Sequence, residues 1–510
     1  MRLPIGIQDF ASLREANMVY VDKTAQIAPL LENGRYFLAR PRRFGKSLLL
    51  STLKYAFEDR KDLFKGLWLE ENHDFKAHPV IRLDFSNINF TSKPLDEGIV
   101  DWLKITGLDY DYVLQSTNAR DALRELILEL AKTQKVVVLV DEYDKPITDT
   151  LFDIEQRNIN QAVLKSVYGV LKPLDASLHM VFLTGVSKIG KLSLFSDLNN
   201  IQDISLNPKF ATICGYTKSE IEFSFPTYLE NAASIFNAPL SELWDAITYW
   251  YNGYSWDAIN RVYCPFSFLL FLANPEFRSH WYETGSPSFL IEMIRNAQID
   301  PLEFEFKNAD VMQLVATDVA NIDPVGLMFQ TGYLTILNKR NTISGIEYDL
   351  SYPNQEVRMA FSRELLENYT AKYPSFIGTF AFELRGLLLK NDWDALFFKV
   401  NQILAGIPYE IFPRQETYVH SLIHLMLVST GLRTQSQVQT SLGRIDTVIE
   451  TPDQFILLEF KIGGSSDTAL QQIVDKEYAA SFSSKPVIGV GVVFDLESKS
   501  IASWESRKLT

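Results

Sequence analysis

The sequence predicts an α/β protein built from a phosphate-loop parallel-sheet domain over residues 1–225, a helical and winged-helix-like lid region over 226–370, and a further α/β domain over 371–510. Three observations predict it. Short β-rich runs alternate with helical patterns in the first part. A strand, a basic glycine-containing loop and a helix meet at Arg40-Pro41-Arg42-Arg43-Phe44-Gly45-Lys46-Ser47. The last part runs from helices into a strand pair, a helix and a strand. At 510 residues the chain has the length of roughly three domains.

Taken in order, Tyr36–Ala39, Val80–Phe85, Val136–Val140 and Met180–Thr184 read as strands, and Leu48–Phe57 and Ala119–Lys132 as helices. Such alternation places parallel strands under helices. Residues 226–310 read as helical and aromatic-rich. A helix from Val325, the strand-like Gly332–Leu337, a turn and a strand near Ile346–Leu350 make the winged-helix-like element. Helices follow from about 375, then strands Arg444–Glu450 and Phe455–Lys461, a helix Thr468–Ala480 and a final strand Val487–Phe494.

With 46% hydrophobic and 22% charged residues, the composition is that of a folded protein. Cys214 and Cys264 have no partner at ligand spacing, so neither a disulfide framework nor a zinc site is expected. The N-terminus lacks an apolar core and no apolar run is long enough to span a bilayer, which predicts a soluble, cytoplasmic protein with no membrane partner. A net charge of −14 excludes global steering toward a nucleic-acid backbone and leaves any DNA or RNA contact to local patches.

A phosphate-binding loop needs backbone N–H groups around the phosphates, a lysine reaching the outer phosphates and a hydroxyl for Mg²⁺, all between a strand and a helix. Arg43, Phe44, Gly45, Lys46, Ser47 and Leu48 satisfy that pattern for ATP, with Ser47 on the metal. Arg40 stands where the general motif has its first glycine, so the loop must turn without that residue's freedom. The aliphatic run Val136–Val140, expected of a buried parallel strand, ends in Asp141 and Glu142. Asp141 is suited to hold Mg²⁺, directly or through water, and Glu142 to orient or deprotonate the attacking water. Thr184, at the end of the next strand, is either a γ-phosphate sensor or a turn residue. Arg42 and Arg43 either stabilise phosphate charge or are structural.

The second constellation lies near the C-terminus. If the last strand pair is a hairpin turning at Pro452-Asp453, Asp446 faces Glu459 with Cβ atoms roughly 5 Å apart. Both carboxylates can then hold one divalent cation. Lys461 shares that face and Phe460 points into a core. This suits metal-assisted phosphodiester hydrolysis, in which the carboxylates place Mg²⁺, the lysine positions or activates water, and Gln472 on the following helix completes the polar shell. The alternative is a surface hairpin with an ordinary Glu–Lys ion pair.

Both constellations resemble a bacterial and archaeal family in which an AAA-ATPase-like domain precedes a PD-(D/E)xK nuclease-superfamily domain. The resemblance is carried by Arg-Pro-Arg-Arg-Phe-Gly-Lys-Ser, which lacks the first glycine as that family's loop does, and by Asp141-Glu142-Tyr143-Asp144-Lys145-Pro146 and Thr184-Gly185-Val186-Ser187. Gln330-Thr331-Gly332-Tyr333-Leu334, Gly443-Arg444-Ile445-Asp446, Leu458-Glu459-Phe460-Lys461 and Ala469-Leu470-Gln471-Gln472-Ile473 extend it. It implies ATP and Mg²⁺ as cofactors, a restriction-endonuclease-like C-terminal fold, a DNA or RNA substrate, and a homo-oligomer in which a neighbour's arginine completes the ATP site. One departure stands out. Upstream of Asp446, where such proteins often have an acidic residue, Gln435, Gln437 and Gln439 are amides, leaving Glu416 as the substitute. Two readings follow: an ATP-hydrolysing module governing a metal-dependent nuclease, in defence against foreign DNA, or a nucleotide-dependent switch with an inactive nuclease-like domain.

Overall fold

The computed structural model describes residues 1–195, 200–281, 290–291, 293–294, 299–315, 322–343, 345–370, 372–407, 416–440, 443–482 and 484–509. They form two compact units, Met1–Trp281 with Asn308–Asn354, and Tyr282–Lys307 with Gln355–Thr510.

The first unit is organised by five strands: β1 (Gly34–Ala39), β2 (Val80–Asp84), β3 (Val136–Asp141), β4 (Leu178–Gly185) and β5 (Gln202–Asp203). They form a wholly parallel sheet in the order β2-β3-β4-β1-β5. The aliphatic run of β3 is buried at every position, as its place inside the sheet requires. β4 lies between β1 and β3, with Ala39 beside Gly185 and Val140 beside Leu183. The basic loop, Thr184 and Asp141 therefore leave the sheet at one edge, where the carboxyl ends of parallel strands create ligand crevices. The helix Lys46–Phe57 buries Leu49, Leu50, Leu53, Ala56 and Phe57, a 3–4 spacing that fixes one face.

Helices Pro226–Phe236, Leu240–Tyr251 and Pro265–Ala273 bury an aromatic cluster that includes Trp244, Tyr251, Phe268 and Phe271. A three-stranded sheet of β6 (Lys307–Asp310), β7 (Thr335–Thr342) and β8 (Gly345–Ser351) has the order β6-β8-β7. The strand expected from Gly332 begins instead at Thr335. Gly332, at φ 95°, terminates the helix Pro324–Thr331 in the left-handed region.

The second unit carries β9 (Arg433–Thr440), β10 (Gly443–Glu450), β11 (Phe455–Ile462), β12 (Val487–Asp495) and β13 (Ser500–Lys508) in the order β13-β12-β11-β10-β9. β11 and β12 are parallel and the other neighbours antiparallel. Two of these strands correct the sequence reading, because β12 is not the last and β9 precedes the expected pair. β9 is almost wholly polar and β13 is an edge strand with much of its surface in water, so neither has an apolar signature. The helix expected over Thr468–Ala480 spans Ser466–Asp475. Glu477 turns left-handed at φ 47°, and Tyr478 enters the core with its hydroxyl donating to the Arg444 carbonyl at 3.0 Å. Among the described residues no helix is long and apolar enough to cross a membrane.

Candidate nucleotide and metal sites

The basic loop turns through two left-handed residues, Arg43 at φ 69° and Gly45 at φ 87°. Gly45 caps the helix Lys46–Phe57 without any side-chain hydrogen bond, and a Cβ at Gly45 would meet nothing within 4 Å. Space is therefore open beside a helix start that no side chain caps, as a phosphate cradle requires. The Lys46 ammonium donates to the Arg40 and Pro41 carbonyls at 3.0 and 2.9 Å. Burial pushes its pKa down, against the opposing charges of Asp141 and Glu142. Ser47 is half-buried beside it, and Leu48 accepts the Thr52 hydroxyl on its carbonyl.

Arg40 answers the missing glycine. Its guanidinium is fully buried, donates to the carbonyls of Ala39, Ser205 and Phe210 at 2.9, 2.8 and 3.1 Å, and lies 4.0 Å over the Trp256 ring. Burial pushes its pKa down to about 10, so it stays cationic at neutral pH. The side chain holds the loop's base from behind. Phe44 is buried edge-on against Tyr254 and Trp256, while exposed Arg43 stacks 4.6 Å over Phe266. The Phe44 and Arg43 side chains are thus both engaged with aromatic rings, and Arg42 is exposed, its carbonyl accepting the Trp281 indole N–H at 3.2 Å.

Across the crevice, Asp141 is buried and its Oδ1 accepts the Thr184 hydroxyl at 2.8 Å. Glu142 adopts a left-handed φ of 53°. Burial raises its pKa, with Lys46 pulling the other way, a setting that favours proton uptake.

In the second unit, the β10–β11 ladder stops at the Thr447–Leu458 pair, whereas β11 stays paired to β12 through Ile462. The strands part at Asp446 and Glu459. Instead of continuing the ladder, Asp446 Oδ2 accepts the Phe460 N–H at 2.9 Å. The Glu459 side chain is 3% exposed; its Oε1 accepts the Gln472 amide and lies 4.0 Å from the Lys461 ammonium. Its Oε2 is buried and, among the described residues, has no hydrogen-bond partner. Burial first, and Asp446's charge second, push the Glu459 pKa up to about 8. A buried carboxylate oxygen without a donor, next to a second carboxylate, is what a divalent cation would satisfy. The structure brings Asp446, Glu459, Lys461 and Gln472 near one another where the ladder ends. Among the described residues no three His, Cys, Asp or Glu side chains cluster at metal-binding distances.

The family described as predicted AAA-ATPase matches residues 4–195, and the PD-(D/E)XK nuclease superfamily matches residues 414–504. The chain belongs to this two-domain family. An uncharacterized protein in the vnfD 5′ region of Azotobacter chroococcum mcd 1 is 36% identical over 518 residues, covering 99% of this chain and 98% of that protein. No solved structure matches this chain.

Two residues packed beside these constellations escaped sequence reasoning. Asp144 is buried and accepts the Val186 and Ser187 N–H groups and the Ser187 hydroxyl at 3.3, 2.8 and 2.7 Å, tying the end of β3 to the loop after Thr184. His420 sits behind the parted strands, 3.4 Å from the Thr447 hydroxyl and with its ring 5.2 Å from Phe460. The Gln437 amide donates to its Nδ1 at 3.5 Å. Gln437, at φ 55°, falls opposite Asp446 between the Ile445–Val438 and Thr447–Ser436 pairs. The one signal for Asp144 was its place in the Asp141–Pro146 segment; His420 had none. The Glu416 side chain lies outside the described residues.

Proposed function

We propose that the AAA-ATPase-like unit binds and hydrolyses Mg-ATP and thereby governs a metal-dependent nuclease in the C-terminal domain that cleaves nucleic acid, in cytoplasmic defence against foreign DNA. The observation that carries the nuclease reading is the strand fork, which leaves Glu459 Oε2 without a partner beside Asp446. Mg²⁺, when bound, polarises the scissile phosphate and eases formation of the attacking hydroxide. Lys461, its side chain 37% exposed, reaches toward substrate, where its ammonium orients the water and offsets charge developing on the phosphate. Gln472 keeps Glu459 aimed. In the ATP site, Lys46 and the free N–H groups of its helix hold the phosphates, Asp141 and Ser47 the metal, Glu142 takes the water proton and Thr184 fixes Asp141.

Gln437 favours the second reading, a nucleotide-dependent switch without cleavage, because the strand position opposite Asp446 carries a neutral amide engaged with His420 and supplies no third carboxylate for a metal. The full chain, incubated with Mg²⁺ or Mn²⁺, ATP and single- or double-stranded DNA or RNA, tests both. Cleavage lost in Lys461→Ala supports the nuclease, equal cleavage by both overturns it, and binding without cleavage selects the switch. Lys46→Ala is expected to weaken ATP binding severely; unchanged affinity overturns the ATP reading.

A further inference from the structure

Asp141 has a neighbour that the catalytic scheme leaves unused. β2 lies beside β3 with Asp84 paired to Asp141, so two carboxylates end adjacent parallel strands. Arg82, two residues before Asp84 and therefore on the same side of β2, bridges them. Its Nη2 is 3.2 Å from Asp84 Oδ2 and 3.5 Å from Asp141 Oδ2.

The two contacts differ in quality. Asp84 is buried and fixed by its own turn, accepting the Ser86 N–H at 3.1 Å, the Ser86 hydroxyl and the Asn87 amide at 3.0 Å. The contact to Asp141 is at the outer limit for a hydrogen bond, and it reaches the oxygen that Thr184 leaves free. The Arg82 Nε is buried with no partner, so the guanidinium is not locked in a fully satisfied geometry. Its backbone is held, since the Trp102 indole donates to the Arg82 carbonyl at 2.6 Å. A fixed backbone thus carries a cation between a nearer and a more distant anionic partner.

We infer that Arg82 is the internal counterion of Asp141 in the nucleotide-free protein, and that Asp84 is the carboxylate onto which it withdraws when Mg-ATP arrives. Arg82 and Asp84 are then positioning residues that set how much Mg²⁺ nucleotide binding requires. The reasoning is electrostatic: a guanidinium and a divalent cation cannot share Asp141 Oδ2 without strong repulsion in a buried site, so metal entry must displace the arginine. Asp84 makes that displacement easy by offering an equal and opposite charge already in contact. The inference rests on the ATP reading of the loop.

The test is a titration of the full chain with Mg²⁺ at fixed N-methylanthraniloyl-ATP, read by fluorescence, together with the nucleotide's affinity in EDTA. Arg82→Gln is expected to lower the half-saturating Mg²⁺ concentration by about tenfold, and Asp84→Asn, which leaves Arg82 with Asp141 as its sole carboxylate, to raise it by about tenfold. Affinity in EDTA stays within about twofold for both, because the loop and Lys46 are untouched. Arg82→Lys, which keeps the charge, is expected to follow wild type and serves if Arg82→Gln folds poorly; thermal unfolding checks each variant. A purely structural role moves both neutralising variants in the same direction. Shifts of equal sign, or none, overturn the inference while Lys46→Ala still abolishes binding. If Lys46→Ala leaves binding intact, the ATP reading itself falls.

Discussion

Replacing Glu459 by glutamine is expected to make the metal-free protein more stable in alkali and slightly less stable in acid. The carboxyl's pKa is pushed up to about 8 from its ordinary 4.5. A carboxyl raised in the folded state destabilises it: below pH 4.5 both states are protonated and no penalty exists, the penalty grows as pH rises, and above about 8 it is constant. At about 1.4 kcal/mol per pH unit separating the two titrations, it is roughly 3 kcal/mol at pH 7 and approaches roughly 5 kcal/mol at higher pH. Glutamine keeps an acceptor for Gln472 but puts an amide N–H₂ where Oε2 has no partner, at a cost of about 1–2 kcal/mol. The net gain near pH 8.5 is therefore roughly 3 kcal/mol, or several degrees in melting temperature. Differential scanning calorimetry in EDTA at pH 4.5, 7 and 8.5 reads this directly. The same scans with Mn²⁺ are expected to raise the wild-type transition and leave Glu459→Gln unmoved. A melting-temperature difference that stays constant from pH 4.5 to 8.5 refutes the claim that burial of an unsatisfied carboxylate governs this site.

Three further outcomes are expected. Arg40→Gly, which restores the general loop motif, destabilises the first unit by about 3–5 kcal/mol in urea unfolding, because three buried carbonyls lose their donor and Trp256 its partner. Gln437→Glu puts a carboxylate against His420 Nδ1 and is expected to raise the imidazole's pKa, which burial holds down, by about one unit in an NMR titration. Asp446→Asn keeps an acceptor for the Phe460 N–H but removes the second cause of Glu459's raised pKa, so the pH dependence of stability moves toward acid.

The parallel strands and their helix were legible because apolar runs and glycine-lysine chemistry are local signals. Asp446 and Glu459 were legible because a tight hairpin turn fixes register by counting. What counting missed is the parting of the strands at these two residues, which depends on a side chain capturing a backbone N–H across the ladder. Arg40 was legible as an anomaly but not as a brace, since its partners Ser205, Phe210 and Trp256 are distant in sequence. β9 and β13 carry too little apolar pattern to be read before their neighbours are known.

The interleaving of the two units has a consequence for the gene. The chain passes between them after Trp281, Lys307 and Asn354. A fragment ending at Trp281 loses Gln330, whose amide oxygen accepts the Lys188 N–H, and Gly332, where an added Cβ would lie 2.8 Å from Pro41. A fragment beginning at Gln355 loses Glu305, which pairs with Arg358 and His424. No single stop codon or restriction cut releases either unit with all of its chain segments, so truncation libraries will recover neither unit whole. Recombination that exchanges one unit for another must break three junctions together, which ties the inheritance of the AAA-ATPase-like unit to that of the nuclease-like unit.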